Sequence, residues 1–122
     1  MNNITIKQKS FDFAVRIVKL CSWLDETPGV KRTLSKQLIR SGTSVGANVA
    51  ESQSAQSPRD FIHKMEIALK EARETEYWLK LLIASEVVKE ARLKNLVTEI
   101  DEIIRMLVAI INTRKKNLHS AL

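Results

Sequence analysis

Apolar residues recur at steps of three and four along nearly the whole chain, and only short polar stretches interrupt them. That spacing is the period of an α-helix. With 3 Gly and 2 Pro in 122 residues, the chain lacks the turn residues of a many-stranded β protein. The clearest break is Asp25 to Gly29 (DETPG), where Pro28 and Gly29 stop a helix. Ser52 to Ser57 (SQSAQS) is a second, and Ser85 to Val88 a weaker third, inferred from the change of apolar phase that follows it. Helices are therefore predicted at about 10–25, 31–54, 58–84 and 89–116, within one all-α domain spanning 1–122. Met1 to Lys9 read as a loose basic leader and Ser10 as the first helix cap. Ser57-Pro58-Arg59-Asp60 starts the third helix, with a capping serine, proline at the first helical position and an acid at the third.

Each helix has a core stripe, and three of the four have a second apolar line. Helix one has Phe13, Ile17, Leu20 and Leu24, with Phe11, Val15 and Val18 as a weaker line. Helix two has Leu34, Leu38, Val45 and Val49; Gly42, Gly46, Ile39 and Ala50 widen that arc, and their size admits a close neighbour. Opposite them Gln37, Arg40, Ser44, Asn48 and Glu51, with Ser41 at the edge, form a line of polar side chains that suggests a packed but polar contact. Helix three has Phe61, Met65, Ala68, Ala72, Leu79 and Ile83, with Glu76 inside the same arc. A carboxylate there needs a partner, such as Asn48, Ser41 or Arg40. Helix four has Leu93, Val97, Ile100, Ile104, Leu107 and Ile111. The additional lines predict a homo-oligomer with an interface at Ile67, Trp78, Leu81, Leu96, Ile103 and Ile110. A generously wide core explains the same pattern.

The net charge of +6 is unevenly placed: residues 1–50 carry +5, residues 51–113 carry −2, and residues 114–122 carry +3. Such clustering suggests a polyanion partner. Lys31, Arg32, Lys36, Arg40, Arg114, Lys115 and Lys116 are the expected phosphate contacts. Trp23 follows Lys19 on helix one and is placed either to stack on a base or to cover the end of the bundle.

Catalytic signals are weak. There is no glycine-rich phosphate loop, no paired-cysteine motif and no HExxH. Ser41, Thr43 and Ser44 have no readable base beside them. Asp60-x-x-His63 resembles one element of a di-iron bundle, but such a site needs two of them plus further inward carboxylates. No cofactor or metal is expected. Cys21 is the lone cysteine and sits beside the core stripe, which fits a small core residue in a reducing cytoplasm. The longest apolar stretch, Ile103 to Ile111, is cut by Arg105 and is too short to span a bilayer. A cytoplasmic protein without membrane contact is expected.

Two segments, LSKQLIRSGTSVGANVAES and SPRDFIHKMEIALKEARETEYWLKLL, closely resemble the bacterial 23S rRNA intervening sequence proteins. The resemblance runs from Phe11 to about Ile111. It implies an antiparallel up-and-down four-helix bundle assembled as a barrel-like homopentamer. Similar bundles serve as accessory proteins of diversity-generating retroelements, where a basic pentamer engages reverse transcriptase and nucleic acid. The resemblance implies no catalytic residue.

The expected function is thus a non-enzymatic, oligomeric, basic bundle that binds RNA or DNA with little sequence preference. The alternative is a protein-interaction adaptor without nucleic-acid binding, for example for a reverse transcriptase or ribosomal partner, holding a partner helix along Arg40, Ser44 and Asn48. A third reading is a metal-dependent enzyme using Asp60, His63 and Glu76.

Overall fold

The computed structural model describes residues 4–120. Four helices make up the fold: α1 (Ile6–Leu24), α2 (Val30–Ser52), α3 (Pro58–Ala84) and α4 (Glu90–Ser120). No strand occurs among the described residues. The first helix begins earlier than Ser10, because the Thr5 side chain accepts a hydrogen bond from the Gln8 backbone N–H and caps it. The leader expected at Met1 to Lys9 is therefore helical from Ile6 onward, and residues 1–3 lie outside the described residues. Ser10 is buried instead, with its hydroxyl donating to the Lys7 carbonyl at 3.2 Å. Helix α3 starts as its sequence predicts: the Ser57 side chain accepts from the Asp60 N–H at 3.0 Å, Pro58 follows, and Asp60 complements the first turn. Helix α4 runs past Lys116 to Ser120.

The helices meet as a ring: α1 on α2, α2 on α3, α3 on α4, and α4 back on α1, while the diagonal pairs make no close backbone approach. Phe13, Ile17, Leu38, Val45, Met65, Leu79, Leu93, Ile100 and Leu107 are fully buried at the centre. Each such side chain contributes about 1.5–3 kcal/mol relative to exposure. α1 and α2 approach closely at two glycines. A Cβ on Gly42 would stand 2.8 Å from Ile17 Cγ2, and one on Gly46 would stand 3.1 Å from the Ser10 carbonyl oxygen. Both glycines are therefore contact points for α1.

The phase of α3 differs by about one residue from its predicted arc. Ile62, Met65, Ala68, Ala72, Thr75, Leu79 and Leu82 are buried, whereas Phe61 and Ile83 lie at the margin. Thr75 thus occupies the place expected of Glu76. Its hydroxyl meets the Ser41 hydroxyl at 3.0 Å and the Glu71 carbonyl at 2.8 Å. Glu76 sits at the edge and pairs with Lys80 at 3.7 Å. No buried side-chain nitrogen or oxygen among the described residues lacks a partner.

Candidate nucleic-acid interface and apolar surface

The seven predicted phosphate contacts do not gather at one basic end. The loop after α1 and the start of α4 share an end, because Arg92 of α4 lies over the Trp23 ring at 4.0 Å. Lys31 approaches the same ring at 5.1 Å. Arg16, Lys19, Trp23, Arg92, Asn95 and Glu99 line an open hollow of about 340 Å3 beside it. Arg114 lies 22 residues further along α4, which at 1.5 Å per residue is about 33 Å away. There its guanidinium covers Phe61 at 4.0 Å, and Lys115 pairs with Glu66 at 2.8 Å. Lys31, Arg32 and Lys36 therefore belong to one end, and Arg114, Lys115 and Lys116 to the other.

Arg32 meets the Asp25 carboxylate at 3.6 Å, whereas Arg40 meets two carboxylates. Its guanidinium pairs with Glu71 at 3.3 Å and with Glu74. Two carboxylates neutralise it, so it presents no free positive charge to a phosphate. Glu74 also accepts from the Trp78 indole N–H at 3.0 Å. Elsewhere on the polar line, Glu51 pairs with Lys64 of α3 at 3.6 Å, while Ser44 and Asn48 bond within their own helix. Ser44 donates to the Arg40 carbonyl at 2.6 Å, and Asn48 donates to the Ser44 carbonyl at 2.8 Å. The contact read from this line is largely internal: Arg40 reaches α3, and Ser41 reaches Thr75.

Trp23 is half-buried, with two cations drawn to its π-face. Its sequence suggested base stacking or an end cover, and the ring is occupied by Arg92 and Lys31. It holds those cations in place at the bundle's end. Arg92 was not recognised from sequence, because nothing in the local pattern says that the start of α4 reaches the end of α1.

The apolar lines also redistribute. Leu96 and Ile103 fall inside the protomer's own core, with Ile103 fully buried, so neither side chain is free for another subunit. Ile67, Trp78, Leu81 and Ile110 are half-buried, and Trp78 packs edge-on to Tyr77 with ring centroids 5.0 Å apart. Beyond Val30 and Tyr77, which are also exposed, the more open apolar side chains lie on α1 and α2. On α1, Phe11 is 63% exposed, Val15 39% and Val18 46%, and on α2 Ile39 is 37% exposed. Ile39 and Ala50 therefore do not widen the core stripe as expected. The line Phe11, Val15, Val18 was visible in the sequence, but its short length made it look the lesser one.

Among the described residues, the candidate catalytic groups lie apart. Cys21 is buried, and burial pushes its thiol pKa up; a hydrogen bond with Ser35 opposes this weakly, and Asp25 adds to it. The Asp60 carboxylate accepts from the Gln56 N–H, and Glu76 pairs with Lys80, so neither converges with His63. Among the described residues, no group of three or more His, Cys, Asp or Glu is placed to hold a metal ion. No helix among them is long and apolar enough to cross a membrane.

None of the curated proteins matches the chain. It is similar to a crystal structure of a protein of unknown function from the S23 ribosomal protein family of Bacteroides thetaiotaomicron. Identity is 48%, the TM-score is 0.81, and the match covers 88% of this chain and 98% of that one. Neither that description nor the matching family's name states an enzymatic activity. The sequence matches the 23S rRNA-intervening sequence protein family over residues 2–109, and with four helices packed as a bundle the chain belongs to that family.

Proposed function

We propose that this protein is a non-enzymatic, self-associating bundle whose basic ends bind the phosphate backbone of RNA or DNA with little sequence preference. One observation carries the reading: Lys31 and Arg92 are drawn together on Trp23, beside Lys19, at an end where Lys36 also has no acidic partner among the described residues. Cations pinned against an indole lose less conformational freedom on meeting a phosphate than solvated ones do. With the ring itself covered, contact falls on the backbone and not on bases, which favours sequence-tolerant binding. Arg40 is withdrawn from the proposed contacts. Titrating a short RNA against salt tests the reading. Affinity should fall steeply as salt rises, and replacing Lys31 and Arg92 by glutamine should flatten that slope by about 0.7–0.9 per lost contact. Absence of binding at low salt would reject it.

Self-association rests on the strip Phe11, Val15, Val18 and Ile39, which is too apolar to be an ordinary charged bundle surface. A second copy of the chain is its proposed occupant, in place of the interface read from Leu96 and Ile103. We also read the helices as alternating in direction. Linkers of five residues join each pair. Along α2 and α3 the ion pairs run in opposite senses, Glu51 with Lys64 and Arg40 with Glu71. Lys9 with Glu102 and Arg16 with Glu99 do the same for α1 and α4. Sedimentation of the purified chain tests the assembly: the pentamer implied by the family is expected, and a stable 13.9 kDa monomer overturns it.

A further inference from the structure

The only two histidines of the chain, 56 positions apart in sequence, line one hollow. Its volume is about 360 Å3, and its wall is Arg59, His63 and Glu66 from the start of α3 with Lys115 and His119 from the end of α4. Ile62 and Leu118 supply the apolar floor. Among the described residues, Glu66 is the one acid in this wall, and Lys115 already pairs with it at 2.8 Å. The other charged groups near the start of α3 are engaged elsewhere: Asp60 accepts from the Gln56 N–H, and Lys64 pairs with Glu51 of α2. Arg114 lies over Phe61. Arg59 has no ion-pair partner among the described residues.

We infer that this hollow is a phosphate-binding site whose affinity rises on mild acidification, because His63 and His119 face the same space as Arg59 and Lys115. With both imidazoles neutral the wall carries a formal charge of about +1; with both protonated it carries about +3. A phosphate has two charged oxygens to share among these donors, and it stabilises the protonated form of each imidazole. By linkage, whatever binds more tightly to the protonated histidines raises their pKa, and each unit of rise is a tenfold gain in affinity. Protonating both imidazoles around a bound phosphate should make binding about tenfold tighter. The site deepens the nucleic-acid reading by adding the α3–α4 end as a second, pH-dependent contact, and it rests on that reading for the source of the phosphate.

Histidine ring resonances of the full chain, titrated with and without inorganic pyrophosphate, test the site itself. Both pKa values should rise with pyrophosphate present; if neither moves, the inference is overturned. Binding of a short RNA at pH about 5.5 and about 7.5 then tests its source, with the ratio of the two affinities compared between the native chain and H63Q/H119Q at equal helicity. The native ratio should be about tenfold and the variant ratio under about twofold. Equal ratios overturn the inference while leaving the Trp23 end intact. Pyrophosphate binding without any RNA binding keeps the hollow as a phosphate site and removes the nucleic-acid reading.

Discussion

Replacing Gly42 with alanine sets two opposing effects against each other. In an exposed helix the change is favourable, by about 1 kcal/mol, because alanine loses less backbone entropy than glycine. Here the new methyl group would lie 2.8 Å from Cγ2 and 3.0 Å from Cγ1 of Ile17, closer than carbon atoms approach without displacement. Ile17 is fully buried, and its branched Cβ has few rotamers, so it has nowhere to turn. Overpacking of this kind costs about 1–3 kcal/mol. Packing should therefore offset or outweigh propensity, leaving the variant up to about 2 kcal/mol less stable. Urea unfolding at one fixed protein concentration measures it, since any assembly makes apparent stability depend on concentration. The Ile17→Ala background supplies the control. With both γ-carbons gone, the nearest contact that remains is the Cβ of residue 17 at 3.3 Å, so the same Gly42→Ala change should stabilise by up to about 1 kcal/mol. The double-mutant cycle should therefore return a coupling of about 1–3 kcal/mol, the size of the overpacking that the background removes. A Gly42→Ala protein more stable than the native chain would refute the claim that α1 and α2 touch at this glycine.

Further measurements bear on other parts of the molecule. Phe11→Glu should shift the assembly toward monomer in sedimentation while leaving the helical content intact, since Phe11 is exposed in the protomer. Arg40→Gln should leave RNA affinity nearly unchanged, whereas Arg92→Gln should weaken it, because the first cation is already neutralised by Glu71 and Glu74. Ser57→Ala removes the cap on the Asp60 N–H and should cost about 1 kcal/mol in urea unfolding. Cys21 should resist alkylation in the folded protein. Its folded pKa lies above the unfolded value of about 8.5, so the stability it contributes is complete below that pH and declines as pH climbs through it toward the folded value. A thiol that reacts at the rate of a free cysteine under native conditions contradicts its burial.

Much of the bundle could be read before any coordinates. Pro28-Gly29 and Ser57-Pro58 mark helix ends through local chemistry, and local chemistry is what a sequence states openly. The stripe Phe13, Ile17, Leu24 is buried as its period requires. What failed was phase and partnership. Glu76 and Thr75 differ by one step of 100°, and the long run of apolar and small residues on α3 tolerates either setting. Leu96 and Ile103 looked like surplus because sequence cannot tell a line facing α1 from a line facing another copy. The candidate contacts failed for the same reason in reverse. Arg40 looked free because its two carboxylates lie on the next helix, and Arg92 went unnoticed because Trp23 lies almost seventy residues earlier.

The tight seam between α1 and α2 reaches beyond the inside of the fold. Where α2 crosses α1 it offers only hydrogen atoms, Gly42 against Ile17 and Gly46 against Ser10. Residues that small cannot lean outward to roof over the neighbouring flank. Phe11 and Val15 are left standing like the teeth of an unmeshed gear, by the same economy of atoms that lets the two rods nest. Inner fit and outer stickiness thus share one origin. A larger residue at Gly46 would have to push against the Ser10 carbonyl before it could shade the flank, so evolution or engineering cannot easily quieten that surface without loosening the seam.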